Sequence, residues 1–110
     1  MTTVTVDAGI CGFKTVIRVT SGDSQHATVE LRTSCPNIKP MESVPLEVDA
    51  YVECFAGIGE SSIYETARTF CKHPGCPLPS GIIKGIEVAC GLALPKDALI
   101  RVSKEDNVES

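Results

Sequence analysis

Between Thr3 and Arg32 apolar and polar residues alternate with a period of two, and no other feature of the chain constrains its fold as strongly. Val4 and Val6 fall on one side and Thr3 and Thr5 on the other; Phe13, Thr15, Ile17 and Val19 keep the rhythm, and Ala27, Val29 and Leu31 then oppose Thr28, Glu30 and Arg32. Successive side chains of a strand point to opposite faces of its sheet, so β-branched segments of this pattern make strands with one buried face. Gly9-Ile10-Cys11-Gly12 and Ser21-Gly22-Asp23-Ser24 supply turn residues between the runs. The first third therefore predicts an antiparallel meander of three strands.

After Cys35-Pro36 the period lengthens. Val48, Val52 and Phe55 stand at i, i+4 and i+7 and predict a short helix that ends before Gly57-Ile58-Gly59. Ser62 and Glu65 have the spacing of a capping box, opening a helix with Ile63, Ala67 and Phe70 on one face and Pro74-Gly75 as its stop. Beyond Pro77-Leu78-Pro79-Ser80, the residues Ile82, Ile83, Ile86, Ala89, Cys90 and Ala93 recur at helical spacing, and Gly91 to Pro95 ends that run. Ala98 to Val102 reads as a last strand. The order β-β-β-α-α-α-β predicts an α+β fold, a two-layer sandwich of about four mostly antiparallel strands covered by helices on one face. At 110 residues and 43% hydrophobic content the chain suits one domain, residues 1–103, followed by an acidic tail at 104–110 that reads as disordered.

Charge narrows the partners. Ten Lys and Arg against fourteen Asp and Glu leave a net charge of −4, so there is no basic field to recruit phosphates, and nucleic acid is not an expected partner. The absence of Trp and an aromatic content of 5% also argue against stacking platforms for bases. The N-terminus has neither the basic nor the long apolar region of a signal peptide. Glu87 interrupts the most apolar stretch, Ile82 to Leu94, well short of the roughly 18 residues a membrane span needs. A cytoplasmic protein without a membrane partner is the expectation, and a homo-oligomer stays open.

The compartment decides what six cysteines mean. In a reducing cytoplasm they serve as metal ligands, nucleophiles or core residues rather than as disulfides. Cys54 and Cys90 have apolar neighbours and read as small buried hydrophobes. Cys11, Cys35 and Cys76 sit in loops beside Gly or Pro, in Gly9-Ile10-Cys11-Gly12, Ser34-Cys35-Pro36 and Gly75-Cys76-Pro77, where a tight backbone can turn a side chain toward a bound ion. In a meander, the turn after strand 1 and the exit of strand 3 lie at the same sheet end, so Cys11 and Cys35 should meet there. Cys76 joins them only if the helix after it starts at that end, which in turn would set the final strand parallel to strands 1 and 3. Cys71-Lys72-His73-Pro74-Gly75-Cys76 adds a thiol and an imidazole within a few residues. His73 reads equally well as a ligand or as a cation meeting the helix C-terminal dipole. His26, in a surface turn, reads as solvated.

Three functional readings follow. The first is a thiol-rich metal site of Cys11, Cys35 and Cys76, with Cys71 or His73 completing the set around Zn²⁺ or an iron–sulfur cluster. No C-x₂-C pair occurs, which separates the chain from the common zinc and thioredoxin patterns. The second is a metal-free dithiol that works by redox exchange or as a nucleophile, with Cys35 and Cys76 each just ahead of a helix start. The third is an interaction module whose cysteines are incidental. Gly57-Ile58-Gly59-Glu60-Ser61-Ser62 has two of the three glycines of a dinucleotide fingerprint but no parallel βαβ setting, and reads as a helix connection.

The stretch from Cys76-Pro77-Leu78-Pro79 through Cys90-Gly91-Leu92-Ala93-Leu94-Pro95, with Asp7-Ala8-Gly9-Ile10-Cys11-Gly12-Phe13 and Ser34-Cys35-Pro36, resembles a family of small, uncharacterised, cysteine-rich proteins of anaerobic archaea and bacteria, a domain of unknown function. The resemblance spans nearly the whole chain and brings no established activity. It implies a reducing cytoplasm in which exposed thiols and iron–sulfur clusters survive, and it places weight on Cys11, Cys35 and Cys76.

Overall fold

In the computed structural model, which describes residues 1–104, the alternating segments pair as their pattern demands. Strands β1 (Thr2–Asp7), β2 (Lys14–Ser21), β3 (His26–Thr33) and β4 (Leu46–Asp49) form one antiparallel sheet in the order β1-β2-β3-β4. The register sets Val4 opposite Ile17 and Ile17 opposite Leu31, with Val19, Val29 and Leu46 in the next row. That face is the core side, and Ile17 and Val19 are wholly buried. Thr3, Arg18 and Glu30 share a row on the other face, which keeps a charged cross-strand pair in water.

Helices α1 (Ala50–Glu53), α2 (Ser62–Phe70) and α3 (Leu78–Ala89) follow the last strand and cover the apolar face. The α+β class and the four-strand sheet are those expected, but the fourth strand is not. Val48, placed in a helix by its spacing to Val52 and Phe55, lies instead in β4, which pairs with His26–Val29. Leu46 and Val48 alternate with Glu47 just as well as they fit a helix, and β3 supplies the partner. Asp49 then ends the strand by accepting the Tyr51 N–H at 2.9 Å, leaving one helical turn with Val52 and Phe55 in solvent. Residues 91–104, which were to hold the last strand, contain no regular element. The expected tail at 104–110 lies outside the described residues beyond Lys104.

Local chemistry also shifts the helix starts. Ser61 caps α2, its Oγ accepting the Tyr64 N–H at 3.3 Å, in place of the Ser62–Glu65 box. The buried Glu53 carboxylate takes the remaining donors: Ser62 N–H at 3.3 Å, Ser62 Oγ–H at 2.6 Å and Ile63 N–H at 2.8 Å. Helix α3 begins at Leu78, and Pro79 in its first turn removes a donor that would have had no partner. It crosses β1 and β2 at very close range. A Cβ on Gly81 would stand 2.5 Å from Val6 Cγ2, and one on Gly85 2.9 Å from Val19 Cγ2. Gly81 beside Val6 and Gly85 beside Val4 mean that α3 runs antiparallel to β1, its N-terminus at the sheet end where β1 finishes.

Candidate functional site: a thiol-lined cavity

At that sheet end three separate chain segments converge on one cavity of about 350 Å³. The β1–β2 turn brings Cys11, held between Gly9 and Gly12, both at positive φ, where the Gly12 N–H closes the turn onto Gly9 O at 2.9 Å. The exit of β3 brings Cys35, whose N–H donates to Thr33 Oγ1 at 3.1 Å while its carbonyl accepts from Ile38 and Lys39. The link from α2 to α3 brings Cys71, His73 and Cys76. Cys71 ends α2 with its N–H on Ala67 O at 2.7 Å, and Cys76 closes the Pro74-Gly75 turn with its N–H on His73 O at 3.1 Å.

Cys11, Cys35, Cys71, His73 and Cys76 all line the cavity, together with the apolar side chains of Val6, Phe13, Ile38 and Leu78. Cys11 is exposed and Cys35, Cys71 and Cys76 are half-buried; all four are free thiols. The condition for Cys76 to reach the Cys11–Cys35 end, a helix starting there, is met by α3. The parallel final strand inferred from it is absent among the described residues, where the fourth strand is β4, paired to β3. Sequence spacing gave no warning of the buried hydroxyl pair Thr15–Thr33, 2.8 Å apart, with Thr15 in the cavity wall. Nor did it foresee the apolar lining, which follows only from which strand ends meet.

Proximity shows in the acidity of the thiols. Burial pushes the Cys71 thiol up to about 12, and Cys76, through its charge and a hydrogen bond, and then Cys35 add to the rise. Cys76 and Cys35 thus both act on the Cys71 thiol. Among the described residues, however, no three His, Cys, Asp or Glu side chains are grouped so as to hold a metal ion. The three-thiol set expected from the sequence shares a cavity without forming a closed ligand cage.

The two remaining cysteines lie elsewhere. Cys90 is buried in the core, as expected, and Cys54 is half-buried. Burial, helped by Glu87, Cys90 and Glu53, pushes the Cys54 thiol up to about 11. Glu87 is half-buried, and its charge reaches Cys54. His26 is exposed as expected, but its Nδ1 is 2.7 Å from Asp23 Oδ2. Gly57 to Gly59 connects α1 to α2, with Gly59 O accepting from Arg68 at 3.1 Å.

Fold and site together define a small α+β sandwich with a thiol-lined cavity at one end of its sheet. No helix among the described residues is long and apolar enough to cross a membrane. A family model matches residues 2–102, and the chain belongs to that family of unknown function, DUF6951. Among curated proteins and among solved structures nothing matches.

Proposed function

We propose that the cavity is a binding site for a soft transition metal, zinc or an iron–sulfur cluster, in a small cytoplasmic protein. The observation that carries this reading is the convergence of four of the six cysteines and one of the two histidines, from three distant segments, on a single cavity. Thiolate and neutral imidazole are the donors such metals select. Cys35, Cys71 and Cys76 would supply the thiolates, with Cys11 or His73 completing the set from the rim. Because the residues are not already caged, binding requires the Gly9–Gly12 turn and the His73–Cys76 turn to close inward. Both are short surface turns, so that closure leaves the sheet and α3 in place.

The test is anaerobic purification followed by zinc and iron analysis, visible absorption and a free-thiol count on one sample. The expected result is near-stoichiometric metal with fewer than six titratable thiols, lost in Cys35→Ser and Cys76→Ser while the circular dichroism spectrum is unchanged. A protein that takes up neither zinc nor iron and keeps six free thiols overturns the reading.

The hydrogen bond between the Cys71 and Cys76 thiols favours one alternative, a metal-free dithiol. Two thiols would give two electrons and two protons to a small-molecule disulfide, forming an intramolecular S–S bond and releasing two small thiols. Reaction with oxidised glutathione followed by peptide mapping separates the two readings. A Cys71–Cys76 disulfide formed in a metal-free protein supports the dithiol.

A further inference from the structure

Beyond Ala93, whose N–H bonds to Glu87 O at 3.2 Å, the chain leaves the body as an arm. From Leu94 to Lys104 every residue is exposed, including Leu94 at 88%, Leu99 at 72%, Ile100 at 77% and Val102 at 91%. The longest axis is 52 Å against 29 and 24 Å, and the radius of gyration of 14.8 Å exceeds the roughly 13 Å of a compact domain this size. An arm of large aliphatic side chains in water is unfavourable unless something covers it.

The arm is patterned for a strand. In Ala98-Leu99-Ile100-Arg101-Val102 the residues Ala98, Ile100 and Val102 share one side, and Leu99 and Arg101 the other. A matching edge stands open on the body. Among the described residues strand β1 pairs only with β2; it runs for six residues as Thr-Thr-Val-Thr-Val-Asp and carries no Pro, Lys or Arg to discourage a further strand. Its Val4 and Val6 are half-buried, whereas their neighbours Ile17 and Val19 are fully covered. The opposite edge is protected: β4 has four residues, follows Pro45, and bears Glu47 and Asp49. The family match runs from residue 2 to residue 102 and so contains both β1 and the arm as far as Val102.

From this complementarity we infer that the arm docks as a fifth strand on β1 of a second copy of this chain, in a reciprocal exchange about a two-fold axis. One operation then satisfies the open edge and the exposed arm of both chains. Ile100 and Val102 fall beside Val4 and Val6 under α3, and Leu99 and Arg101 fall on the outer face with Thr3 and Thr5. The strand that the sequence pattern places at 98–102 forms between chains rather than within one.

Light scattering and hydrogen exchange on the full chain and on Ile100→Pro test the exchange. Ile100 is exposed, so the substitution leaves the body folded, which circular dichroism checks, while it removes an N–H and breaks the strand. The wild type should have twice the 11.7 kDa chain mass. Ile100→Pro should halve that mass and speed exchange of the outward β1 amides by about tenfold or more. A monomeric wild type overturns the proposal, as does a dimer whose mass Ile100→Pro leaves unchanged. Loss of the dimer with unaltered β1 exchange also overturns it, since the arm would then dock elsewhere.

Discussion

At the residue scale, the six cysteines differ in chemistry because their surroundings differ. A thiolate, not a thiol, attacks an alkylating agent, so reactivity follows the acidity and exposure of each sulfur. Cys71, pushed up to about 12, and Cys54, at about 11, hold their protons at neutral pH, while Cys11 is open to solvent. Timed iodoacetamide labelling of the metal-free protein at pH 8, read by peptide mass spectrometry, should modify Cys11 first. Cys71 and Cys54 should lag by about a hundredfold or more and accelerate as pH rises. The exposed pair Asp23–His26 makes a second prediction. The His26 ring, then the backbone N–H groups of His26 and Gln25, hold Asp23 well below the usual carboxylate range, and the bond to Asp23 raises His26 above 6.5. The pair's contribution is whole between the two ordinary values, is lost as pH rises through the raised His26 value, and is lost as pH falls through the lowered Asp23 value. In an NMR titration Asp23→Asn should return His26 toward 6.5 and loosen the turn that holds Ser24 at φ 61°.

At the scale of elements, the contact between α3 and the sheet is the least tolerant part of the fold. A methyl on Gly81 meets Val6 Cγ2 at 2.5 Å with Ile17 Cδ1 3.5 Å away, so α3 must lift from β1. Gly81→Ala should cost about 1–3 kcal/mol in urea unfolding, the range for an overpacked core, despite the better helix propensity of Ala. Glu53 is the counterpart among polar groups, since its removal leaves the Ile63 N–H unmatched in a buried setting and returns the Ser62 donors to solvent. Glu53→Ala should destabilise the protein by about 1–3 kcal/mol, while Glu53→Gln, which keeps an acceptor, should recover part of the loss. Neither residue stood out in the sequence. The three strands of the meander did, because alternation is a local signal that each segment carries alone. Val48 was misread because a stretch this short fits both periods, and only the free edge of β3 decides between them. The Ser62–Glu65 spacing misled in the same way: Glu53, nine positions before Ser62, occupies the helix start, and no local pattern announces it.

For the whole molecule, the cavity and the arm show two different limits of sequence reading. Cys11 and Cys35 were expected at one sheet end from strand direction alone, a consequence of connectivity that needs no side-chain detail. Their apolar surroundings, and the raised thiol of Cys71 beside them, depend on how α3 lies across β1, which pattern does not encode. Residues 98–102 carry the pattern of a strand, yet among the described residues of one chain they pair with none. The two facts are reconciled if the pairing is between chains, and that has a thermodynamic signature distinct from any monomer. When folding includes association, raising the protein concentration tenfold adds about 0.7 kcal/mol of stability per chain, half of the 1.4 kcal/mol that a factor of ten is worth for the dimer. For a domain of this size that is a rise of about 2–4 °C in Tm. Scanning calorimetry on the wild type should show this dependence, and Ile100→Pro, melting as a lone chain, should show none. Since Ile100 is 77% exposed in the single chain, its substitution touches no packed contact there. A concentration-dependent Tm that disappears in Ile100→Pro therefore reports the loss of the partner and not damage to the core.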